Sequence, residues 1–212
     1  MIIGITGKKR SGKDEVGIYL YNEHRFIRYA LADPMKWAVQ DIFLMTKRQL
    51  WGDRKEIVDN RYGVTPRQLL QVVGTELFQY AIYRYLPDLK ISPRKLWINR
   101  FRLWYKKTTK KNGFEGDVCI TDVRFPHEAE TIKEMGGIII KLERPSLDYE
   151  KDNHASEQEI DLIQQHWTVI NDGTIEDLYP KIDEIIKSER HIKELEKNHD
   201  FVLSHRLNDG VL

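Results

Sequence analysis

The chain has 212 residues, with 34 Lys and Arg against 33 Asp and Glu and a formal net charge of +1. Hydrophobic residues make up 41% and charged residues 32%, which excludes general disorder and suits one domain large enough to bury a core. The even charge argues against a dedicated nucleic-acid binder, and the single cysteine, Cys119, excludes an internal disulfide framework and suits a reducing, cytoplasmic setting. The longest apolar runs fall far short of the ~20 residues of a membrane span.

Met1 to Ile5 is apolar and reads as a strand. The glycine-rich Gly7-Lys8-Lys9-Arg10-Ser11-Gly12-Lys13 follows, then a helical pattern with Val16, Tyr19 and Leu20 on one side. A short strand is expected around Phe26 to Leu31, ending at Asp33-Pro34, where proline suits the first turn of the next helix. That helix runs from Met35 to about Met45, with Met35, Val39, Ile42 and Phe43 at helical spacing. Residues 46–64 are charged and weakly periodic and read as a mobile connection. Thr65-Pro66 opens a strong helix, with Thr65 as N-cap and an apolar face of Leu69, Leu70, Val73, Leu77 and Phe78; Gly74 lowers helix propensity in its middle.

A further helix is expected from about Pro93 to Lys107, with Lys106 to Gly113 as a polar loop. The basic run Arg100 to Lys111 holds Trp104 and Tyr105. It reads as a helix with its aromatic side in the core, or as a stacking surface for nucleic acid. Val118-Cys119-Ile120 is apolar on both faces and suits a central parallel strand, with Cys119 as core. A helix from Pro126 to Met135, a strand from Ile138 to Leu142, a loop from Arg144 to His154 and a short helix from Glu157 to Gln165 come next. Trp167 to Ile170 is the last strand, and a helix after Thr174 presents Leu178, Ile182, Ile185 and Ile186 on one face. The tail from about 187 to 212 is mostly charged. Strands alternating with helices predict an α/β fold, a parallel sheet between two layers of helices.

Gly7 to Lys13 matches the spacing G-x-x-x-x-G-K, between a strand and a helix. In such a loop, successive backbone N–H groups and the helix N-terminus face phosphate oxygens, and the lysine reaches the outer phosphates. Asp14 stands where a magnesium-binding Ser or Thr usually follows the lysine. It reads as a magnesium contact, direct or through water, or as an acidic residue favouring the helix N-terminus. Asp122 ends a buried strand, where a second carboxylate serves magnesium, and Arg124 lies at the sheet edge that binds ligands; an Asp–Arg structural pair is the other reading.

Several stretches together resemble the bacteriophage-type deoxynucleoside monophosphate kinases, a nucleoside monophosphate kinase branch of the phosphate-loop proteins. They are the loop through Asp14, Ala30-Leu31-Ala32-Asp33-Pro34-Met35-Lys36, Arg67 to Glu76, Ile120 to Glu130, His154-Ala155-Ser156-Glu157 and Val169 to Thr174, within residues 1–186. The sequence departs from that pattern at Glu15, where a Thr facing the α-phosphate is expected. The resemblance implies one kinase domain over 1–212, with a helical substrate-binding region at about 34–110 and a lid at about 143–157. It implies transfer of the ATP γ-phosphoryl group to a deoxynucleoside 5′-monophosphate, with Mg2+. Gly7, Lys8, Lys9, Arg10, Ser11, Gly12, Lys13, Asp14 and Glu15 would form the ATP site, and Asp14 and Asp122 would serve the metal. Lys36, Arg67 and Arg124 would hold the acceptor phosphate, with Lys13, Arg124 and Arg144 acting on the transferred group. Arg144 is the lid cation, with Lys151 a weaker choice. Gln71, Thr75 and Glu76 are candidates for base or sugar recognition, or plain polar helix surface; Asp33 caps its helix or touches substrate. His154 and Glu157 would orient the lid. No stable nucleic-acid or membrane partner is expected, and a homodimer is consistent with related kinases.

Two small-molecule kinase types of similar scaffold, for dephospho-coenzyme A and for phosphomevalonate, are the nearest alternatives; the Leu69 to Glu76 stretch favours the nucleotide. A GTP-binding module would need an Asn-Lys-x-Asp signature, which the chain lacks. An adaptor with an inactive loop is opposed by the presence of Lys13, Asp14 and Asp122.

Overall fold

The computed structural model describes residues 1–112, 116–145 and 159–208, with side chains described up to 109 in the first stretch and up to 199 in the last. Strands β1 (Ile2–Thr6), β2 (Ile27–Tyr29), β3 (Val118–Ile120), β4 (Ile138–Glu143) and β5 (Trp167–Ile170) form one sheet in the order β2-β3-β1-β4-β5. Every pairing is parallel, with Ile3 opposite Cys119 on one side of β1 and opposite Ile138 on the other.

Alternation along these strands creates two cores. Ile3 and Ile5 of β1, Cys119 of β3 and Ile138, Ile140 and Leu142 of β4 face one way. They meet Val16 and Leu20 of helix α1 (Lys13–His24) and the Leu178, Ile182, Ile185 and Ile186 stripe of the last helix. Ile2, Val118, Ile120 and Ile139 face the other way, toward Ile98, Phe101, Ala129 and Ile132. The predicted α/β fold with helices on both faces is therefore present.

Helix α2 (Asp33–Phe43) follows β2, and the short α3 (Lys47–Leu50) follows it. Helix α4 (Pro66–Gln71) is capped as expected: the Thr65 hydroxyl accepts from Gln68 N–H, and Gln68 Oε1 accepts from Thr65 N–H. Together these elements bury Met35, Val39, Met45 and Leu50 beside Leu69, Leu70, Val73 and Trp97.

Residues 46–64 are ordered, contrary to the mobile connection expected. Thr46 and Gln49 form a capping box that starts α3. Asp59 is 8% exposed and accepts from Gln49 Nε2 at 2.7 Å and from Arg61 Nε and Nη2 at 2.9 and 2.7 Å. Its backbone pairs with Val64. Charged residues here bond to one another rather than to water, so no hydrophobic period announces the order.

The α4 helix also departs from expectation. It widens into a π-helical stretch, Val72–Ala81, and closes as α5 (Ile82–Tyr85). A π-helix needs more residues per turn, which turns the apolar pattern. Leu77 and Phe78, expected in the core, are exposed, while Gly74, Thr75 and Gln79 are buried. Gly74 is explained by close approach: a β-carbon there would come within 2.9 Å of the Met35 methyl, and its carbonyl accepts from Trp97 Nε1 at 2.8 Å.

Helix α6 (Leu96–Asn112) runs through the expected loop at Lys106, with Lys106 and Lys107 exposed and Trp104 and Tyr105 against the core. Helix α7 (Pro126–Glu134) follows β3. A single 3-10 turn, Glu159–Leu162, stands at the expected short helix. Helix α8 (Ile175–Asn208) closes the chain and carries the charged tail as far as Asn208. The expected lid, including Lys151, His154 and Glu157, lies outside the described residues apart from its start at Glu143 to Pro145. Among the described residues, no helix is long and apolar enough to cross a membrane.

Candidate active site

The carboxyl ends of all five parallel strands open on one edge of the sheet, where α/β folds bind ligands. The loop from Gly7 to Gly12 leaves the central strand there. Gly7, Arg10 and Gly12 have φ of 140°, 66° and 104°, so the backbone curls on itself. A β-carbon at Gly7 would meet the Leu142 carbonyl oxygen at 2.3 Å and Ser11 Oγ at 2.8 Å. Ser11 Oγ and Thr6 Oγ1 are buried with no hydrogen-bond partner among the described residues. Asn171, buried at the exit of β5, donates from Nδ2 to the Ser11 carbonyl at 3.0 Å and fixes the far wall of the loop.

The loop's cations are held by protein oxygens. Lys13 Nζ donates to the Gly7 and Lys8 carbonyls at 2.6 and 2.7 Å. Lys8 pairs with Asp161 at 3.0 Å, and Lys9 with Glu56 at 2.9 Å. Asp14 is exposed at the start of α1, while the Glu15 carboxylate accepts from the Tyr179 hydroxyl of α8. A curled backbone with glycine at both ends, two buried hydroxyls and a set of cations fit a polyphosphate.

A second group of cations gathers beside the loop. Lys36, on α2, pairs with Asp33 at 3.3 Å and lies 5.5 Å from the centre of the Trp51 ring. Asp33 also accepts from Trp51 Nε1 at 2.7 Å. It does not cap α2 with its side chain, since the N-cap is Ala32. Arg67, at the start of α4, donates to Glu56 at 2.5 Å and from its backbone to the Lys55 carbonyl at 3.0 Å. Lys55 is half-buried. Burial first, then the fields of Lys36 and Arg67, hold its pKa below the ordinary lysine value; Arg124 adds to this and Asp14 opposes it. Lys36, Arg67, Arg124 and Asp14, all named from the sequence, thus come together around a residue that was not.

Asp122 sits at the exit of β3, its carboxylate accepting from Leu31 N–H at 2.7 Å and Ala32 N–H at 2.9 Å. It ties the end of β2 to β3. Burial pushes its pKa up against these bonds and the nearby Lys36 and Arg124. Glu128, on α7, accepts from the Arg124 and Phe125 N–H groups at 2.8 and 3.1 Å and so fixes the turn that carries Arg124. Burial, with Asp122 close by, pushes Glu128 up to about 8. Arg144 follows β4, half-buried.

The α4 candidates separate. Gln71 is half-buried at the end of α4, while Thr75 is buried and Glu76 exposed within the π-helical stretch. Sequence reasoning missed Lys55, Asn171 and Trp51. Asn171 had a signal, standing directly after a strand in Asn-Asp-Gly. Lys55 and Trp51 had none, lying in a segment without periodicity.

The chain matches the family model described as deoxynucleotide monophosphate kinase over residues 1–51 and 49–182. It is 39% identical over 186 residues to a protein of Acanthamoeba polyphaga mimivirus named as a candidate deoxynucleotide monophosphate kinase, covering 86% of this chain and 94% of that one. It is 24% identical to the deoxynucleotide monophosphate kinase of Escherichia phage RB69, covering 88% of this chain and 99% of that one. A shikimate kinase from Aquifex aeolicus superposes with a TM-score of 0.49 at 17% identity, covering 90% of this chain and 98% of that one. On the extent of the family match and the identity to the mimivirus protein, the chain belongs to the deoxynucleotide monophosphate kinase family.

Proposed function

We propose that the chain phosphorylates deoxynucleoside 5′-monophosphates from ATP and Mg2+, yielding the diphosphates needed for DNA synthesis. The observation that carries this reading is that Lys36, Arg67 and Arg124 all act on the half-buried Lys55, with Asp14 at the start of α1 acting on it in the opposite sense. Magnesium-ATP, when bound, supplies the transferable phosphoryl group. Two anions must then be held in contact, which demands cations on both sides and exclusion of water. Gly7 to Lys13 would hold the donor through backbone N–H groups, with Lys13 exchanging its carbonyl partners for phosphate oxygens. Lys36, Arg67 and Arg124 would hold the acceptor phosphate, the arginine forks matching its oxygens. Asp14 would contact the metal, and Asp122 would reach it through water while bracing Leu31 and Ala32. Arg144, at the exit of β4, would approach the transferred group. No general base is required, because the acceptor phosphate is ionised at neutral pH. Asp33, which pairs with Lys36, and Gln71, one helical turn after Arg67 in sequence, are the candidates for sugar and base contacts; Thr75 and Glu76 are weaker ones.

The test is a coupled ADP-release assay with ATP and magnesium against each common dNMP and NMP, dephospho-coenzyme A and phosphomevalonate. Turnover of at least one dNMP is expected. Turnover of another acceptor alone would keep the scaffold and discard the deoxynucleotide.

A further inference from the structure

Residues 51–56 form a strap across the site. Trp51 bonds Asp33 of α2, the Lys55 carbonyl accepts from Arg67 of α4, and Glu56 joins Arg67 to Lys9 of the glycine loop. The strap is therefore tied to α2, α4 and the glycine loop at Trp51, Lys55 and Glu56, and Lys55 is held within it by its backbone carbonyl. The Lys55 ammonium makes no hydrogen bond or ion pair with any described residue, while Glu56 beside it makes two. It is half-buried among Lys36, Arg67 and Arg124, with Asp14 as the carboxylate acting on it. Gathering like charges in a half-buried space costs stability unless an anion joins them. The cost is kept here, although a Gln or Met would fill the same space without it.

We infer that Lys55 is a phosphate ligand of the acceptor site, carried in by the 51–56 strap and binding the 5′-phosphate of the monophosphate substrate alongside Lys36, Arg67 and Arg124. The inference rests on the phosphoryl-transfer reading above. Lys36, Arg67 and Arg124, the acceptor cations, act on Lys55 together with Asp14, which stands beside the donor's lysine at the start of α1. A dianion there would offset the mutual repulsion of these cations, so binding and fold stability are coupled through Lys55.

The experiment uses the full chain and the variants Lys55→Met and Lys55→Arg. Affinity for the best dNMP and, separately, for ATP is read by calorimetry, and ligand-free melting temperature is read alongside. Lys55→Met is expected to weaken dNMP binding about tenfold or more, as loss of a charge-assisted bond does. ATP binding should stay within about twofold, and Lys55→Arg should recover most of the dNMP affinity. The ligand-free melting temperature of Lys55→Met should equal or exceed that of the unmodified chain, because a repelling charge is gone. Equal dNMP affinity in the folded Met variant would overturn the inference. So would equal loss of ATP and dNMP binding, or a lowered melting temperature with no recovery in Lys55→Arg. If the unmodified chain phosphorylates no dNMP, the functional reading fails first and takes the acceptor assignment with it.

Discussion

Lys13 illustrates how a single side chain can be held ready. Its ammonium bonds the Gly7 and Lys8 carbonyls of its own loop, so the loop stays curled and the charge stays at its mouth. The same ammonium is the one whose reach a polyphosphate requires. Lys13→Ala should lower kcat by about 100-fold or more while leaving a folded protein, as removal of a group acting on transition-state charge does. A coupled assay with a melting curve checks this, and near-normal kcat in the folded variant would remove the loop from the mechanism. Cys119 shows the opposite case. Burial in β3 pushes its thiol up to about 12, so it is neither nucleophile nor metal ligand at neutral pH.

At the level of elements, the strap depends on Asp59. Its carboxylate joins Gln49 and Arg61, and its backbone pairs with Val64, so the stretch between α3 and α4 closes on one residue. Asp59→Ala should loosen the strap and raise the KM for dNMP several-fold more than the KM for ATP. An equal rise in both would show that the stretch does not serve the acceptor side. This is also where the sequence was hardest to read. The strand–loop–helix at Ile2 to His24 and the buried strands at Val118 and Ile138 follow from alternation, glycine spacing and apolar runs. Thr46-Lys47-Arg48-Gln49 did carry a helix-start signature, but no apolar period followed it to attract attention. The π-helical stretch has no residue-level signature, because it arises where Gly74 lets α4 press on Met35. Arg124 could be named from its place after Asp122 at the sheet edge, whereas Arg67 was named only through the family resemblance. Lys55 was not legible, because only tertiary contacts bring it among them.

Across the whole molecule, α8 joins the sheet to the glycine loop's helix. Tyr179 stacks on Tyr19 with ring centres 3.8 Å apart, and Asp183 accepts from the Tyr19 hydroxyl at 2.7 Å and lies 2.7 Å from His24 Nε2. Stability should vary with pH through two buried groups around β3 and α7. Glu128 is pushed from 4.5 up to about 8, so in that window the folded chain keeps a proton the unfolded chain releases, and stability falls as pH rises. His127 is pushed from 6.5 down to about 4 by burial and Arg94, so stability is lost as pH falls through that range. The two slopes oppose one another below 6.5, and above it His127 no longer opposes Glu128. The melting temperature should therefore fall from about pH 6.5 to about pH 8.5, and Glu128→Gln, which can still accept both N–H bonds, should flatten that fall. Parallel curves for the two proteins would assign the slope elsewhere.

Trp51 gives the strap an optical property. Its indole is anchored by Asp33 and lies under the Lys36 ammonium, within the same strap that carries Lys55. Indole emission responds to nearby charge, so an anion drawing Lys36 and Lys55 toward itself changes the field at the ring. The chain thus contains its own fluorophore at the acceptor side, distinct in surroundings from the exposed Trp37 and from Trp97 and Trp104 against the core. Occupancy of that side becomes readable in real time, with no label attached to protein or nucleotide.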